Sequence, residues 1–279
     1  MSTSVLKITP RRHLLDLKLV EIWRYRDLLF LLVRRDFVAL YKQTILGPLW
    51  FFIQPLLTTL MFTLVFGNIA GISTDGLPRI LFYLSGITCW TYFADTLTKT
   101  SETFTANAGI FGKVYFPRAI VPLSIVVSNL YKLGVQLVLF MAFWLWFYLR
   151  GDAIQPTAAI AWFPWLIILM AAIGLGAGMF ISSLTTKYRD LRFLLTFGVQ
   201  LAMYATPVIY PVSSIPEKYR MLIAANPVTP LIETFRCGFL GQGDYSVAGL
   251  AYSTLCAAVL LLLGLVTFNR VEQTFMDSV

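Results

Sequence analysis

Long apolar segments separated by short polar stretches dominate the chain from residue 46 onward. Several of these segments reach the roughly 20 residues that an α-helix needs to cross a bilayer. The pattern predicts an all-α integral membrane protein with six transmembrane helices, at about residues 46–67, 80–104, 120–148, 159–184, 191–211 and 247–268. Pro55 falls inside the first of these crossings, where we expect it to kink the helix.

Composition agrees with a membrane location. Hydrophobic residues make up 58% of the 279 residues and charged residues only 13%, against about 25% charged residues in soluble domains. A soluble domain of this composition would lack the polar side chains to cover its surface. The excess apolar surface is therefore expected to face lipid.

An amphipathic segment precedes the first crossing. Residues 20–42 have the periodicity of a helix but carry too many charges to span the membrane. Their basic residues project mainly to one face, and these include Arg24, Arg34, Arg35 and Lys42. The pattern predicts an N-terminal amphipathic helix in the membrane interface, or else a helix packed on protein. Residues 1–45 then form a cytoplasmic leader, 46–270 the transmembrane domain and 271–279 a cytoplasmic tail.

Residues 212–243, between the fifth and sixth crossings, are interrupted by Pro216, Pro227 and Pro230. Their apolar stretches are too short to span a bilayer. They predict two short re-entrant helices that dip part-way into the membrane under a cover of protein. An ordinary surface loop is the alternative.

The distribution of Lys and Arg predicts the orientation of the chain. With both termini in the cytoplasm, sixteen of the 22 basic residues lie on the inner side and five on the outer side. Lys132 lies within the third crossing. This is the bias of the positive-inside rule.

Motifs for nucleotide or metal binding are missing from the sequence. The segment that comes nearest to a phosphate-binding loop, Gly109 to Lys113, lacks both the spacing and the Ser or Thr that binds magnesium. Any ATP is therefore expected on another chain. Cys89, Cys237 and Cys256 are scattered, so we predict neither disulfides nor a metal site.

Charged residues inside the apolar segments are candidates for function because their burial in lipid is costly. Asp95, Lys99 and Glu102 share one face of the second crossing, where Asp95 and Lys99 can form a pair. They predict either a self-contained ion pair at the interface or a polar entrance to a conduit. Lys132 either reaches the interface or marks a lumen.

Aromatic residues are frequent, at 15% of the chain. Most are expected in interfacial belts, while a few suit the lining of a conduit for sugars, with Phe51, Tyr204 and Tyr210 as candidates. Gly174, Gly176 and Gly178 predict close helix packing, within the chain or against another one.

Several motifs resemble the membrane subunits of ABC-2 type polysaccharide exporters, those for O-antigen, capsule and teichoic acid. They occur in the expected order and cover nearly the whole chain. The motifs are Tyr41-Lys42-Gln43-Thr44-Ile45-Leu46-Gly47-Pro48-Leu49-Trp50 with Gln54-Pro55-Leu56, Lys113-Val114-Tyr115-Phe116-Pro117-Arg118, Thr206-Pro207-Val208-Ile209-Tyr210-Pro211, Asn226-Pro227 and Ile232-Glu233-Thr234-Phe235-Arg236.

The resemblance implies a homodimeric channel for lipid-linked polysaccharide, bound to two copies of a separate ABC ATPase. ATP and magnesium would be held by that ATPase and no cofactor by this chain. The resemblance also assigns residues to three sites. The ATPase-coupling loop contains Gly112, Lys113, Tyr115, Phe116, Pro117 and Arg118. The motif that opens the first crossing contains Leu46, Gly47, Pro48 and Trp50. The outer gate contains Pro216, Asn226, Pro227, Glu233 and Arg236.

Two details of the resemblance remain open. Lys113 and Arg118 could instead anchor their loop to anionic lipid. Residues 270–275 resemble O-antigen-type members, which implies the inner membrane of a Gram-negative cell.

Two other classes of function remain open at this point. A membrane-embedded polyprenyl-phosphate sugar transferase would need acidic residues clustered at the interface, and only Asp95 and Glu102 are close to that pattern. An ATP-independent secondary transporter would need carboxylates near the bilayer centre. Copurification with an ATPase would separate the exporter from both.

Overall fold

The computed structural model describes residues 19–42, 45–111, 113–114 and 116–274. Within these ranges the chain is helical and contains no β-strand. The α-helices are α1 (Leu19–Arg24), α2 (Arg26–Tyr41), α3 (Trp50–Phe62), α4 (Arg79–Ser101), α5 (Thr103–Phe111), α6 (Ile120–Leu149), α7 (Phe163–Thr185), α8 (Leu191–Tyr204), α9 (Glu217–Ala224), α10 (Thr229–Leu240) and α11 (Val247–Thr274).

Within the described part of the chain, four helical segments are long and apolar enough to cross a membrane, which confirms a multi-pass membrane protein. They are Trp50–Ile69, Ile120–Leu149, Ala158–Thr185 and Val247–Glu272. The first continues α3 through a wider helical turn at Thr63–Ile69, and the third includes a tight turn ahead of α7. These segments correspond to the first, third, fourth and sixth predicted crossings.

The second predicted crossing is α4, which lies at the centre of the bundle. It packs against α3, α6 and α7, and 16 of its 23 residues are buried. Because protein rather than lipid surrounds it, α4 accommodates polar residues such as Ser85, Thr88 and Thr96. The helix ends at Ser101, and α5 follows after a break at Glu102.

The fifth predicted crossing is shorter than the apolar pattern indicates. Helix α8 has 14 residues, or about 21 Å at 1.5 Å per residue, which is less than the thickness of a hydrocarbon core. Residues 205–211, predicted as its continuation, form turns. A count of six crossings therefore depends on α4 and α8 and stays a prediction.

The glycine cluster of α7 packs within the chain. A Cβ atom on Gly176 would lie 2.6 Å from the backbone of Leu260 in α11, and one on Gly178 would lie 2.6 Å from Thr100 in α4. Small residues let helix backbones approach closely in a membrane. Helix α7 is thereby held between α4 and α11.

The N-terminal segment forms two helices, α1 and α2, which meet at Tyr25. Leu32 and Val33 are buried, and α2 packs against α6. The charged side chains of Arg24, Arg34, Arg35 and Lys42 lie on the exposed side. The apolar side thus contacts protein, while the position of this segment in the membrane interface stays a prediction.

Residues 212–243 contain two short helices, α9 and α10, as the proline spacing predicts. Helix α9 is mostly exposed, whereas ten of the 12 residues of α10 are buried. Helix α10 packs against α4, α7 and the turn at Ala158–Trp162. It is therefore part of the helical core and not a surface loop.

Candidate functional site

The ionisable residues of α4 bind partners on other helices. Lys132 of α6 donates to the carboxylate of Asp95, with 2.7 Å between Nζ and Oδ2. Lys99 instead donates to the Asn129 side chain, over 3.0 Å. The predicted Asp95–Lys99 ion pair is thus not formed, and each residue instead binds a side chain of α6. Lys132 joins two helices as half of an ion pair.

Glu102 connects α4 to α8. Arg192, at the start of α8, donates through Nε to the Glu102 carboxylate over 2.5 Å. Both side chains are partly exposed, so the pair is worth at most about 1 kcal/mol. Asp95 and Lys99 therefore contact α6, whereas Glu102, at the break after α4, contacts α8.

Helix α8 packs on α4 and α7 through one face and exposes the other. None of its 14 residues, all within the described part of the chain, is buried. Three polar residues, Arg192, Thr196 and Gln200, follow one another at intervals of four and are all exposed. Such a spacing places them on one face of the helix. The predicted conduit residue Tyr204 extends this row and is 49% exposed.

The other two aromatic conduit candidates are less open. Phe51 is half-buried in the first turn of α3. The Tyr210 hydroxyl donates to the backbone carbonyl of Tyr204 over 2.9 Å and so ties the turn after α8 to its end. The structure does not bring Phe51, Tyr204 and Tyr210 into one contact among the described residues.

The predicted coupling loop has an exposed part and a buried part. Lys113 and Val114 are exposed, whereas Phe116, Pro117 and Arg118 are buried. Gly112 and Tyr115 lie outside the described residues. The loop thus offers one described cation, Lys113, to the surface.

Arg118 ties the loop to the end of α11. Its guanidinium donates to the backbone carbonyl of Glu272 over 3.0 Å and lies 5.3 Å from the centre of the Phe111 ring. Burial lowers the pKa of Arg118 and the nearby Glu272 opposes this shift, but an arginine keeps its charge in either case. Arg118 is therefore placed to hold the loop in position.

A separate aromatic cluster lies beneath this loop. Phe104 stacks on Phe268 of α11 with 4.4 Å between ring centres, and Phe111 contacts both Phe104 and Phe116. Leu32 of α2 belongs to the same cluster. The predicted coupling loop, the N-terminal helices and α11 therefore share one core.

The motif that opens the first crossing forms a tight turn. Gly47 has φ +46°, a backbone conformation that favours glycine. The N–H of Leu49 donates to the carbonyl of Leu46 over 2.9 Å. Leu46 and Trp50, which flank this turn, are exposed. The Pro48 side chain lies outside the described part of the structure. This motif sets the start of α3.

The predicted outer-gate residues include a buried ion pair. Arg236 is 1% exposed and lies 3.1 Å from the Glu233 carboxylate. It also donates to the carbonyl of Val208 over 2.9 Å and stacks over Phe82 of α4 at 3.8 Å. A charge buried this deeply needs such partners. Arg236 thus joins α10, α4 and the turn after α8.

The remaining outer-gate residues shape the backbone around α9 and α10. Asn226 donates to the Thr206 hydroxyl over 2.7 Å and accepts from the N–H of Val228. The carbonyl of Pro227 accepts from Ser253 of α11 over 2.7 Å. Pro216 immediately precedes α9. Together these contacts fix the loops on this side of the bundle.

Sequence reasoning did not single out Asn129 and Gln136 of α6. Both are buried polar residues in a helix that is mainly apolar. Asn129 bridges Lys99 and Thr96. The only sequence signal was an amide side chain within a membrane-spanning segment, which is unusual because polar groups are costly to bury in lipid.

Comparison with known proteins identifies the family. The chain is 28% identical over 253 residues to an O-antigen export system permease protein RfbA of Klebsiella pneumoniae, covering 90% of this chain and 94% of the relative. It is 27% identical over 265 residues to the protein of the same name in Myxococcus xanthus, covering 93% and 98%. It is 24% identical over 248 residues to the capsule polysaccharide export inner-membrane protein CtrC of Neisseria meningitidis serogroup A, covering 87% and 90%. The sequence profile described as ABC-2 type transporter matches residues 27–240. This chain therefore belongs to the ABC-2 type transporter family, as its membrane-spanning permease subunit.

Proposed function

We propose that this chain is the permease subunit of an ATP-driven exporter that moves lipid-linked polysaccharide, of the O-antigen kind, out of the cytoplasm. The observation that carries the proposal is the match to O-antigen export permeases over at least 90% of this chain and 94% of each relative. The family match over residues 27–240 extends from α2 to α10. Transport, and not catalysis by this chain, is the role that follows.

The exposed polar row on α8 supports a conduit between two copies of the chain. Arg192, Thr196 and Gln200 would be costly to place against lipid tails. Facing a second copy across a water-filled passage removes that cost. We therefore propose a homodimer whose passage is lined in part by α8 and its Tyr204, with Phe51 and Tyr210 nearby.

The coupling loop suits a role in receiving force from an ATPase. Lys113 is exposed for docking, and the buried part of the loop is anchored to α11 by Arg118 and to the N-terminal helices through the aromatic cluster. We propose that two copies of a separate ABC ATPase, which hold ATP and magnesium, dock there. Movement of the loop would then shift α11 and α2 together.

The membrane arrangement follows from the bias of basic residues. We propose six crossings (α3, α4, α6, α7, α8 and α11) in the inner membrane, with both termini in the cytoplasm. Helices α9 and α10 then lie on the outer side, where the Arg236 contacts hold the proposed outer gate together. Asp95 and Lys99 lie toward the inner side, near the proposed entrance.

Deletion of the gene tests the proposal. An exporter subunit predicts loss of surface polysaccharide and accumulation of complete lipid-linked glycan in the cytoplasm. A sugar transferase predicts a shortened or missing lipid-linked intermediate instead. Unchanged surface polysaccharide would refute both functions.

A further inference from the structure

A cavity of about 260 Å³ lies between α9, α10 and the start of α11, and it shares no lining residue with the proposed passage. Its apolar lining includes Ile223 and Ala224 of α9 and Pro230 of α10. The volume is just below the roughly 300–1,000 Å³ of sites for drug-sized ligands. It is therefore large enough for a ligand of the size of a lipid headgroup.

Two opposite charges border this cavity without pairing to each other. Arg220 of α9 donates through Nε to the Ile215 carbonyl over 3.2 Å. Its guanidinium forms no ion pair with any residue that the structure describes, and the same holds for the carboxylate of Asp244 in the loop before α11. Both side chains are exposed. Each charge is therefore accessible to a ligand in the cavity.

The charges of the lining select the class of ligand. Glu233 also lines the cavity, but its carboxylate already accepts from Arg236 and from the backbone N–H of Asp244, over 3.1 Å in each case. A ligand therefore meets one cation, Arg220, and one accessible carboxylate, Asp244. The carboxylate repels a simple anion and the guanidinium repels a simple cation. A ligand that carries both charges is complementary to the pair.

The cavity lies at a membrane surface. Helix α11 contains the membrane-spanning segment Val247–Glu272, so the start of this helix is at one face of the bilayer. Tyrosine is enriched at that depth, and three exposed tyrosines occur on α9, before α11 and in its first turns: Tyr219, Tyr245 and Tyr252. Met221 and Leu222 of α9 are 86% and 71% exposed, as expected beside acyl chains. The molecule with both charges at this depth is a zwitterionic phospholipid.

We infer that this cavity binds the headgroup of a phospholipid with a primary amine, its phosphate on Arg220 and its ammonium group on Asp244. Both contacts are charge-assisted hydrogen bonds, which are stronger than those between neutral groups. The bound headgroup links α9, which packs against α10, to the loop before α11. The ligand is a lipid of the surrounding membrane and not the exported cargo, so the inference goes beyond the proposed function.

Lipid binding is measured by native mass spectrometry on the full-length protein, purified in detergent together with its ATPase. The probes are phosphatidylethanolamine, phosphatidylglycerol and phosphatidylcholine with the same acyl chains, each titrated to give a Kd. Wild-type protein is expected to bind phosphatidylethanolamine most tightly, because phosphatidylglycerol lacks the ammonium group and the choline ammonium has no N–H to donate. Equal Kd values for the three lipids would overturn the inference.

Two variants test the two contacts separately. Asp244→Asn is expected to weaken binding of phosphatidylethanolamine about three- to tenfold, the worth of one net hydrogen bond, without weakening that of phosphatidylglycerol. Arg220→Gln is expected to weaken both, because both lipids carry the phosphate. Lys218→Gln and Asp152→Asn are the matched controls, since both residues are exposed and neither lines the cavity. An unchanged Kd for Asp244→Asn, or an equal loss in the controls, would overturn the inference and leave Asp244 as a solvated surface charge.

Hydrogen exchange of the same complex in nanodiscs tests the position of the lipid. The amides of α9 in wild-type protein are expected to exchange more slowly in phosphatidylethanolamine than in phosphatidylglycerol, and equally in the two lipids for Asp244→Asn. Exchange of wild-type α9 that does not depend on the lipid would overturn the assignment to this cavity. Soluble phosphoethanolamine, which carries the same charges without acyl chains, is expected not to displace the lipid at millimolar concentration. Full displacement would show that the ligand is a soluble zwitterion instead of a lipid.

Discussion

Replacing Arg236 with methionine tests the structural role of the buried pair in α10. The substitution keeps an unbranched apolar stem but removes the guanidinium, and with it the charge, the 2.9 Å contact with the Val208 carbonyl and the contact with Phe82. Glu233, 4% exposed, is then left without its ion-pair partner. Breaking a buried pair in this way costs about 3–5 kcal/mol.

A loss of this size lowers the Tm by about 6–20 °C if one kcal/mol corresponds to roughly 2–4 °C in a chain of this length. The assay is size-exclusion chromatography of detergent-solubilised protein after heating, with the half-loss temperature as readout. Arg150→Met is the matched control, because Arg150 is exposed and surface substitutions change stability by about 0.5 kcal/mol or less.

A second variant isolates the pair itself. The double variant Glu233→Gln with Arg236→Met removes both charges. Its loss of Tm is expected to be smaller than the summed losses of the two single variants. A Tm for Arg236→Met within 2 °C or so of the wild type, or a strictly additive double variant, would refute the reasoning that Arg236 compensates a buried carboxylate.

Three further predictions concern other parts of the bundle. Gly176→Val is expected to lower the Tm and the amount of inserted protein, because the valine side chain would collide with the α11 backbone. Gly134→Ala, at a position with open space around it, is the control. Equal amounts of inserted protein for the two variants would contradict close packing at Gly176. Asp95→Asn is expected to lower the Tm by leaving Lys132 unpaired. The double variant Asp95→Lys with Lys132→Asp, which exchanges the two charges, is expected to recover part of the lost Tm. A double variant no more stable than Asp95→Asn would show that the pair is unimportant for stability. Lys113→Glu is expected to reduce copurification of the ATPase several-fold, because it reverses a charge on the proposed docking surface. The Tm is expected to stay unchanged, because Lys113 is exposed. Undiminished copurification would show that Lys113 is not part of the docking surface.

The sequence predicted where long apolar helices lie better than it predicted where an apolar run leaves the helix. The continuous apolar runs of α6, α7 and α11 led to boundaries close to the observed ones, apart from the longer end of α11. Helix α4 was predicted as well. It is less hydrophobic than α6 and α7 because it is buried within the bundle and accommodates polar residues there. The length of α8 was overestimated because apolar residues continue past Tyr204 into turns.

Contacts between helices were the part that the sequence did not reveal. The spacing of Asp95 and Lys99 indicated a pair within α4, since four-residue spacing brings side chains together. The observed partners, Lys132 and Asn129, are more than 29 positions away in the sequence, and no local pattern encodes that proximity. Burial of α10 was likewise a consequence of packing and not of its own periodicity.

Reconstitution tests the central claim most directly. Lipid-linked glycan is added to the outside of vesicles whose membrane contains this chain and its ATPase. The glycan that reaches the vesicle lumen is then measured with and without ATP. The account predicts translocation only when both proteins and hydrolysable ATP are present. Translocation or modification of the glycan by this chain alone would contradict it.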